Sequence, residues 1–419
     1  MAQVWTQGTM YRISPFVRHF GLALLLGIAT ATLWVNLSPA SYYDFIEWHV
    51  AEIALPNWIW RGTVTITPFM VVADILMALF FFFTGKELWE SLILKRGALS
   101  GQQALFPMGL TAGGLTGAAV LWLILQAMIE TAEEASFGQG WTVPLGTDAV
   151  LAYLVGRRVF GQGHPALHLL LLLAIATDIL ALLILGLTNP NLSWRLLWLV
   201  LPAAASIGVW ALYGRPPAPG AAERQRRAGL QLWPYLLAGA LSWFGTAASG
   251  VPAAPGLLPV IPAIAHADRS FGLFAEAEGF LHDPLNRLAH LLVRPVAVIL
   301  FLFGVIRGGV DFPAFAPPTL VTLGALWIGR PLGMVAGGLA LAMASGLRLP
   351  PGVTIRDLFR IVLILSMGFT VPAIAISAAL PGGAMQEAAR LGLALSMLAG
   401  AAALVLPRPR HAGFSSRHG

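Results

Sequence analysis

Apolar runs, each about as long as a bilayer-crossing helix, alternate with short polar breaks along most of the 419-residue chain. They predict twelve spans, near 17–38, 68–94, 104–129, 142–160, 166–188, 193–213, 232–249, 252–265, 286–306, 318–345, 358–380 and 386–406. The seventh and eighth are the weakest, because Ser249 to Gly256 interrupts the pattern and the eighth run is short and broken. In hydrocarbon a helix satisfies its own backbone groups, so an all-α integral membrane fold is expected. The expected organisation is one membrane domain over 1–419. Six helices fill 1–213, a Pro/Gly-rich basic linker covers 214–231, six helices fill 232–406, and a tail follows over 407–419. The first run, Phe20 to Leu37, is long enough to span and another apolar run follows it. It therefore reads as a retained helix rather than a cleaved leader ending near Ser38-Pro39-Ala40.

Two spans share an interruption. The fourth reads Trp141-Thr-Val-Pro144-Leu-Gly146-Thr147-Asp148 and the eleventh Ser366-Met-Gly368-Phe-Thr370-Val-Pro372. Glycine, threonine and proline in mid-span weaken a helix and release carbonyls that lipid cannot satisfy. Broken helices at matching places in two halves predict an inverted-repeat transporter with its site where the breaks cross.

Composition narrows the class. Charged residues are 11% of the chain, against about 25% in a soluble domain. A net charge of +6 would suit nucleic acid, but its distribution argues for a membrane. With both termini cytoplasmic, 20 of the 25 lysines and arginines fall inside and only Arg61, Arg195 and Arg390 in outer loops. The linker, with Arg224, Arg226 and Arg227, reads as a cytoplasmic loop. There is no cysteine, and the nine histidines form neither an HExxH motif nor a close cluster. No enzyme, resident cofactor or nucleic-acid partner is expected.

A carboxylate inside the bilayer costs at least ~2.5 kcal/mol and so signals function. Asp178 sits in the middle of an uncharged run, Asp148 at the break of the fourth span and Asp74 near the start of the second. A proton and a cation can each neutralise such a group, so they compete for one oxygen site. That competition is the physical basis of antiport. Arg330 is placed to compensate a core acid, while Arg307 stands near the outer end of its span.

Five stretches, in order, resemble the NhaA-type sodium/proton antiporters. They are Ala73-Asp74 through Gly85-Lys86-Glu87, Gly146-Thr147-Asp148, Ala174-Ile-Ala-Thr177-Asp178, Gly329-Arg330-Pro331-Leu332-Gly333 and Met367-Gly368-Phe369-Thr370. The resemblance runs from about residue 20 to 405. It implies inverted repeats, exchange of Na⁺ or Li⁺ for H⁺ across the inner membrane, and a homodimer in the lipid bilayer. Asp178 would be the essential ion- and proton-binding carboxylate, with Asp148 at the crossing and Thr147 near the ion. Glu87 would lie at the cytoplasmic mouth, where the family places pH sensing. Thr177 stands where the family has a first aspartate, Arg330 where it has a lysine, and Pro252 where it has a histidine. Arg307-Gly308-Gly309 replaces its Asn-Ala-Gly. With Thr177 and Arg330 unable to carry a proton, about one proton per cation is expected. The alternatives are another ion or solute on the same scaffold, since Arg330 and Arg307 attract anions, or a transport-inactive sensor.

Overall fold

A computed structural model describes residues 13–54, 56, 63–93, 105–133, 137, 139–188, 194–215, 229–266, 273–274, 281–345 and 349–406. Most of the linker (216–228) and the tail 407–419 lie outside the described residues.

The first span is α1 (Phe16–Leu37), followed by the short α2 (Pro39–Ile46) and an antiparallel hairpin, β1 (Ala51–Ala54) with β2 (Thr63–Ile66). The hydropathy pattern gave no sign of this hairpin. The second span enters through a single α-turn, Pro68–Met70, and a π-helical turn, Val71–Leu76, before α3 (Met77–Ile93). Next come α4 (Leu105–Glu133), a 3₁₀ segment Gly140–Leu145, α5 (Ala149–Phe160) and α6 (Pro165–Leu187). The sixth span is built around α7 (Val200–Val209) and the seventh is α8 (Trp233–Ser249). The eighth is a 3₁₀ helix, Ala254–Ala263. At about 2.0 Å rise per residue it covers roughly 20 Å, so its prolines extend it rather than delete it.

The last third holds α9 (Pro284–Arg307), α10 (Pro317–Gly324), a π-helical turn Ala325–Gly329 and α11 (Arg330–Ser345). It ends with α12 (Ile355–Leu365), α13 (Thr370–Ala379), α14 (Ala384–Ser396) and α15 (Leu398–Val405). Among the described residues eight helices are long and apolar enough to cross a membrane. The pair α12 and α13, bent by 42°, makes a ninth. The fourth, seventh and eighth predicted spans are present as the shorter or broken pieces given above.

Burial separates centre from rim. In α6, 72% of the most apolar stretch is buried, against 17% for the Trp194–Gly214 span. A helix apolar on every side and buried on most of them is a central helix, and α6 carries Asp178. Around it, neighbouring backbones are drawn together by missing side chains. A Cβ on Gly333 of α11 would stand 2.1 Å from the carbonyl oxygen of Gly113 on α4, and one on Gly117 would stand 2.3 Å from that of Gly329. Likewise a Cβ on Gly27 of α1 would meet Phe301 O of α9 at 2.2 Å. Such close backbone approach is how membrane helices gain packing where lipid removes the hydrophobic drive. It also fixes Arg330, the first residue of α11, against α4.

Candidate functional site

The fourth and eleventh spans both break, and the breaks meet. Gly146 is extended (φ −77°, ψ 160°), as is Asp148 (φ −145°, ψ 102°), so the chain leaves one helical segment and starts another. In the other span Ser366 to Phe369 separates α12 from α13. The 3₁₀ segment lies alongside α13 in the opposite direction. Gln139 N donates to Ala379 O (3.2 Å) at one end, and a Cβ on Gly146 would stand 2.5 Å from Val371 Cβ at the other. Phe369 N donates to Thr147 O (3.4 Å) across the gap.

Four half-helix ends therefore converge, and one charged side chain serves each pair. Asp148 caps both N-termini. Its Oδ1 accepts Leu151 N of α5 (2.7 Å), and its Oδ2 accepts Thr370 N of α13 (3.2 Å) and the Thr370 hydroxyl. Arg330 serves both C-terminal ends. Nη1 donates to Leu365 O of α12 (2.8 Å), and Nη2 donates to Gly146 O (2.6 Å) and to Pro144 O. An anion at helix N-termini and a cation at C-termini is the favourable placement for both dipoles. Asp148 and Arg330 are both fully buried.

Asp178 is held from the same break. Thr147 N donates to Asp178 Oδ1 (2.6 Å) and so does the Thr147 hydroxyl (2.9 Å), which also reaches Ala174 O (3.3 Å). Among the described residues Asp178 Oδ2 accepts no hydrogen bond and Thr177 makes no side-chain hydrogen bond. The two carboxylates thus differ. Both oxygens of Asp148 are engaged by backbone and hydroxyl donors, while Asp178 has one oxygen without a donor among the described residues. Arg330 makes no ion pair with either of them; it bonds carbonyls instead.

Gly368 is tied by Ser396 of α14. Gly368 N donates to Ser396 Oγ (3.1 Å), and Ser396 O accepts Trp327 Nε1 (3.2 Å) from the π-helical turn before Arg330. Sequence reasoning missed Ser396, because a serine in a small-residue helix carries no signal. Glu87, expected at the cytoplasmic mouth, is part of a buried charge cluster. It is 3% exposed, and accepts Phe274 N while pairing with Lys86 (3.2 Å); Lys86 in turn pairs with Glu90 (2.9 Å). Phe274 adopts φ 52°, a left-handed conformation unusual for a bulky residue. The i,i+4 spacing of Lys86 and Glu90 was the available clue to this buried cluster. Asp74 and Arg307 lie away from the crossing, at the other end of the second span from Glu87.

The profile of the family described as Na⁺/H⁺ antiporter 1 matches residues 17–406. The Na(+)/H(+) antiporter NhaA of Jannaschia sp. (strain CCS1) is 40% identical over 409 residues, covering 95% of this chain and 97% of the relative. NhaA of Desulfitobacterium hafniense (strain DSM 10664 / DCB-2) is 33% identical, covering 95% of this chain and 96% of its own. NhaA 2 of Pelobacter propionicus (strain DSM 2379 / NBRC 103807 / OttBd1) is 32% identical, with 93% and 96% covered.

Proposed function

As the chain belongs to the Na⁺/H⁺ antiporter 1 family, we propose that it exchanges Na⁺ or Li⁺ for protons at Asp178, with about one proton moved per cation. The unequal oxygens of Asp178 carry this reading. Thr147 fixes Oδ1 through two donors, which orients the carboxylate and leaves Oδ2 to a proton or a hard cation in turn. Neutral when protonated and neutral when cation-bound, the site excludes one ion whenever it holds the other. Coupling then needs no separate part.

The charge movement follows from the neighbours. Asp148 spends both oxygens on helix ends, so its role is positioning. Arg330 is fixed on three carbonyls, and an arginine does not release its proton in a protein. Thr177 has no acidic proton to give. Asp178 is then the sole exchanging group, and transport is electroneutral. The charge tally supports cytoplasmic termini, and the family resemblance supports an inner-membrane location and a homodimer.

Proteoliposomes carrying a pH-reporting dye test this. Na⁺ or Li⁺ should dissipate an imposed proton gradient at a rate indifferent to membrane potential. Thr177→Asp with Arg330→Lys, which restores a second acid and a releasable base, should make that rate depend on potential. Potential-driven Na⁺ flux by the unaltered protein contradicts the single-carboxylate mechanism.

A further inference from the structure

Arg307 closes α9 and is 4% exposed, yet among the described residues its Nε and Nη1 have no hydrogen-bond partner. An arginine in a last helical turn ordinarily bonds the free carbonyls there. Three of those four carbonyls already accept. Tyr42 Oη donates to Val305 O (3.0 Å) and Ile306 O (3.4 Å), and Gly308 N donates to Gly304 O (2.8 Å). Just beyond the helix, Thr32 Oγ1 donates to Gly308 O (3.1 Å) and Asn36 Nδ2 to Val310 O (2.7 Å). Burial pushes the Tyr42 phenol up to about 12, so it stays a donor. Arg307 is therefore not the cap of its own helix.

Its contacts point to the second span instead. The guanidinium carbon stands 3.8 Å from the centroid of the Phe69 ring, in the turn that leads into the π-helical turn Val71–Leu76. That turn carries Asp74, half-buried, whose own carbonyl accepts Trp243 Nε1 (2.8 Å). The Pro284–Arg307 helix packs directly against this π-helical turn, although no ion pair within 4 Å joins Asp74 to Arg307. Arg390 is itself paired with Glu387 (2.7 Å). Further along the same span a Cβ on Gly85 would lie 3.9 Å from Ile179, next to Asp178. Asp74 is thus about 16 Å along the helix from the level of the exchange site, on the side opposite Glu87.

We propose that Arg307 is a specificity-determining counter-charge: by opposing Asp74 it keeps that carboxylate from capturing cations, and so sets a weak cation affinity on one face of the exchanger only. A carboxylate left alone at that mouth would concentrate cations before they reach Asp178; beside a fixed guanidinium it does not. The inference rests on the exchange reading above, and it adds sidedness to it.

Oriented proteoliposomes, with half-saturating Na⁺ measured separately from each face, provide the test. Arg307→Gln should lower the value on its own face roughly two- to fivefold and leave the opposite face unchanged. Arg307→Lys should stay near wild type, and adding Asp74→Asn to Arg307→Gln should cancel the gain. A shift on both faces, or a gain that survives Asp74→Asn, overturns the inference. So does a shift of similar size on replacing chloride with gluconate, which would make Arg307 an anion site. If Arg307→Gln alone does not insert, Asp74→Asn and the double variant decide: a rise in half-saturation in Asp74→Asn that the double variant reverses supports the counter-charge, while an unchanged value, or a rise that persists in the double variant, refutes it. Na⁺ exchange from the opposite face, abolished by Asp178→Asn, stands as the control. Its persistence with symmetric affinities removes only this inference, whereas its absence removes the exchange reading itself.

Discussion

Asp148→Asn is the sharpest probe of how the broken helices hold the proposed ion site. The carboxylate accepts Leu151 N on Oδ1 and Thr370 N on Oδ2. An amide has one oxygen, so whichever way it turns, one of these buried N–H groups faces an NH₂. An unsatisfied buried donor costs about 1–3 kcal/mol. Loss of charge at two helix N-termini adds about 0.3–1 kcal/mol each. The Thr370 hydroxyl can rotate to accept instead, so it contributes little to the loss. The expected destabilisation is about 2–5 kcal/mol, visible as earlier thermal unfolding in detergent. Because Thr147 precedes Asp148 and supplies both donors to Asp178, the same disturbance should raise half-saturating Na⁺ roughly tenfold, or about 1.4 kcal/mol, without abolishing exchange. Thr370→Val should be non-additive with it by about 0.5–3 kcal/mol, as expected for groups in one network. Unchanged half-saturation would detach Asp148 from the ion site. Complete loss of exchange in a stable Asp148→Asn protein would make it an exchanging group and refute the positioning role.

The remaining predictions concern packing and the buried charge cluster. Gly333→Ala should impair both thermal stability and exchange, since its Cβ would lie 2.1 Å from Gly113 O and force α11 from α4. Gly208→Ala, with no atom within 4 Å of the new Cβ, should be neutral or stabilising by up to ~1 kcal/mol; equal stability losses in the two variants would discount the close-packed pair. Lys86→Met should destabilise by about 3–5 kcal/mol in thermal unfolding, because it strands Glu87 and Glu90 in a buried place. Glu87→Gln should move the pH profile of exchange, and an unmoved profile would reduce Glu87 to a structural partner of Lys86 and Phe274.

What the sequence made legible was what hydrocarbon makes costly. Asp178 stood out because a charge in an uncharged run needs a reason, and Pro144, Gly146, Gly368 and Pro372 marked breaks because they spoil helices. The division of labour between the two aspartates was not legible. Thr147 precedes a charged cap in one span and clasps a carboxylate in another, and only the crossing shows that Asp148 is consumed while Asp178 keeps an oxygen. Arg330 read as a partner for an acid; its three carbonyl acceptors come from spans distant in sequence. The hairpin of β1 and β2 left no trace in hydropathy, because its strands are four residues each and largely exposed or half-buried. The π-helical turns before Arg330 and around Asp74 are likewise invisible to a periodicity argument, which sees apolar spacing and not a single inserted residue.

Alternate occupancy of one carboxylate by proton and cation can be read from proton release by purified protein in weakly buffered detergent on addition of Na⁺. About one proton should be released per chain, saturating with Na⁺, and none from Asp178→Asn. Release of about two protons per chain, or release that survives Asp178→Asn, would contradict it.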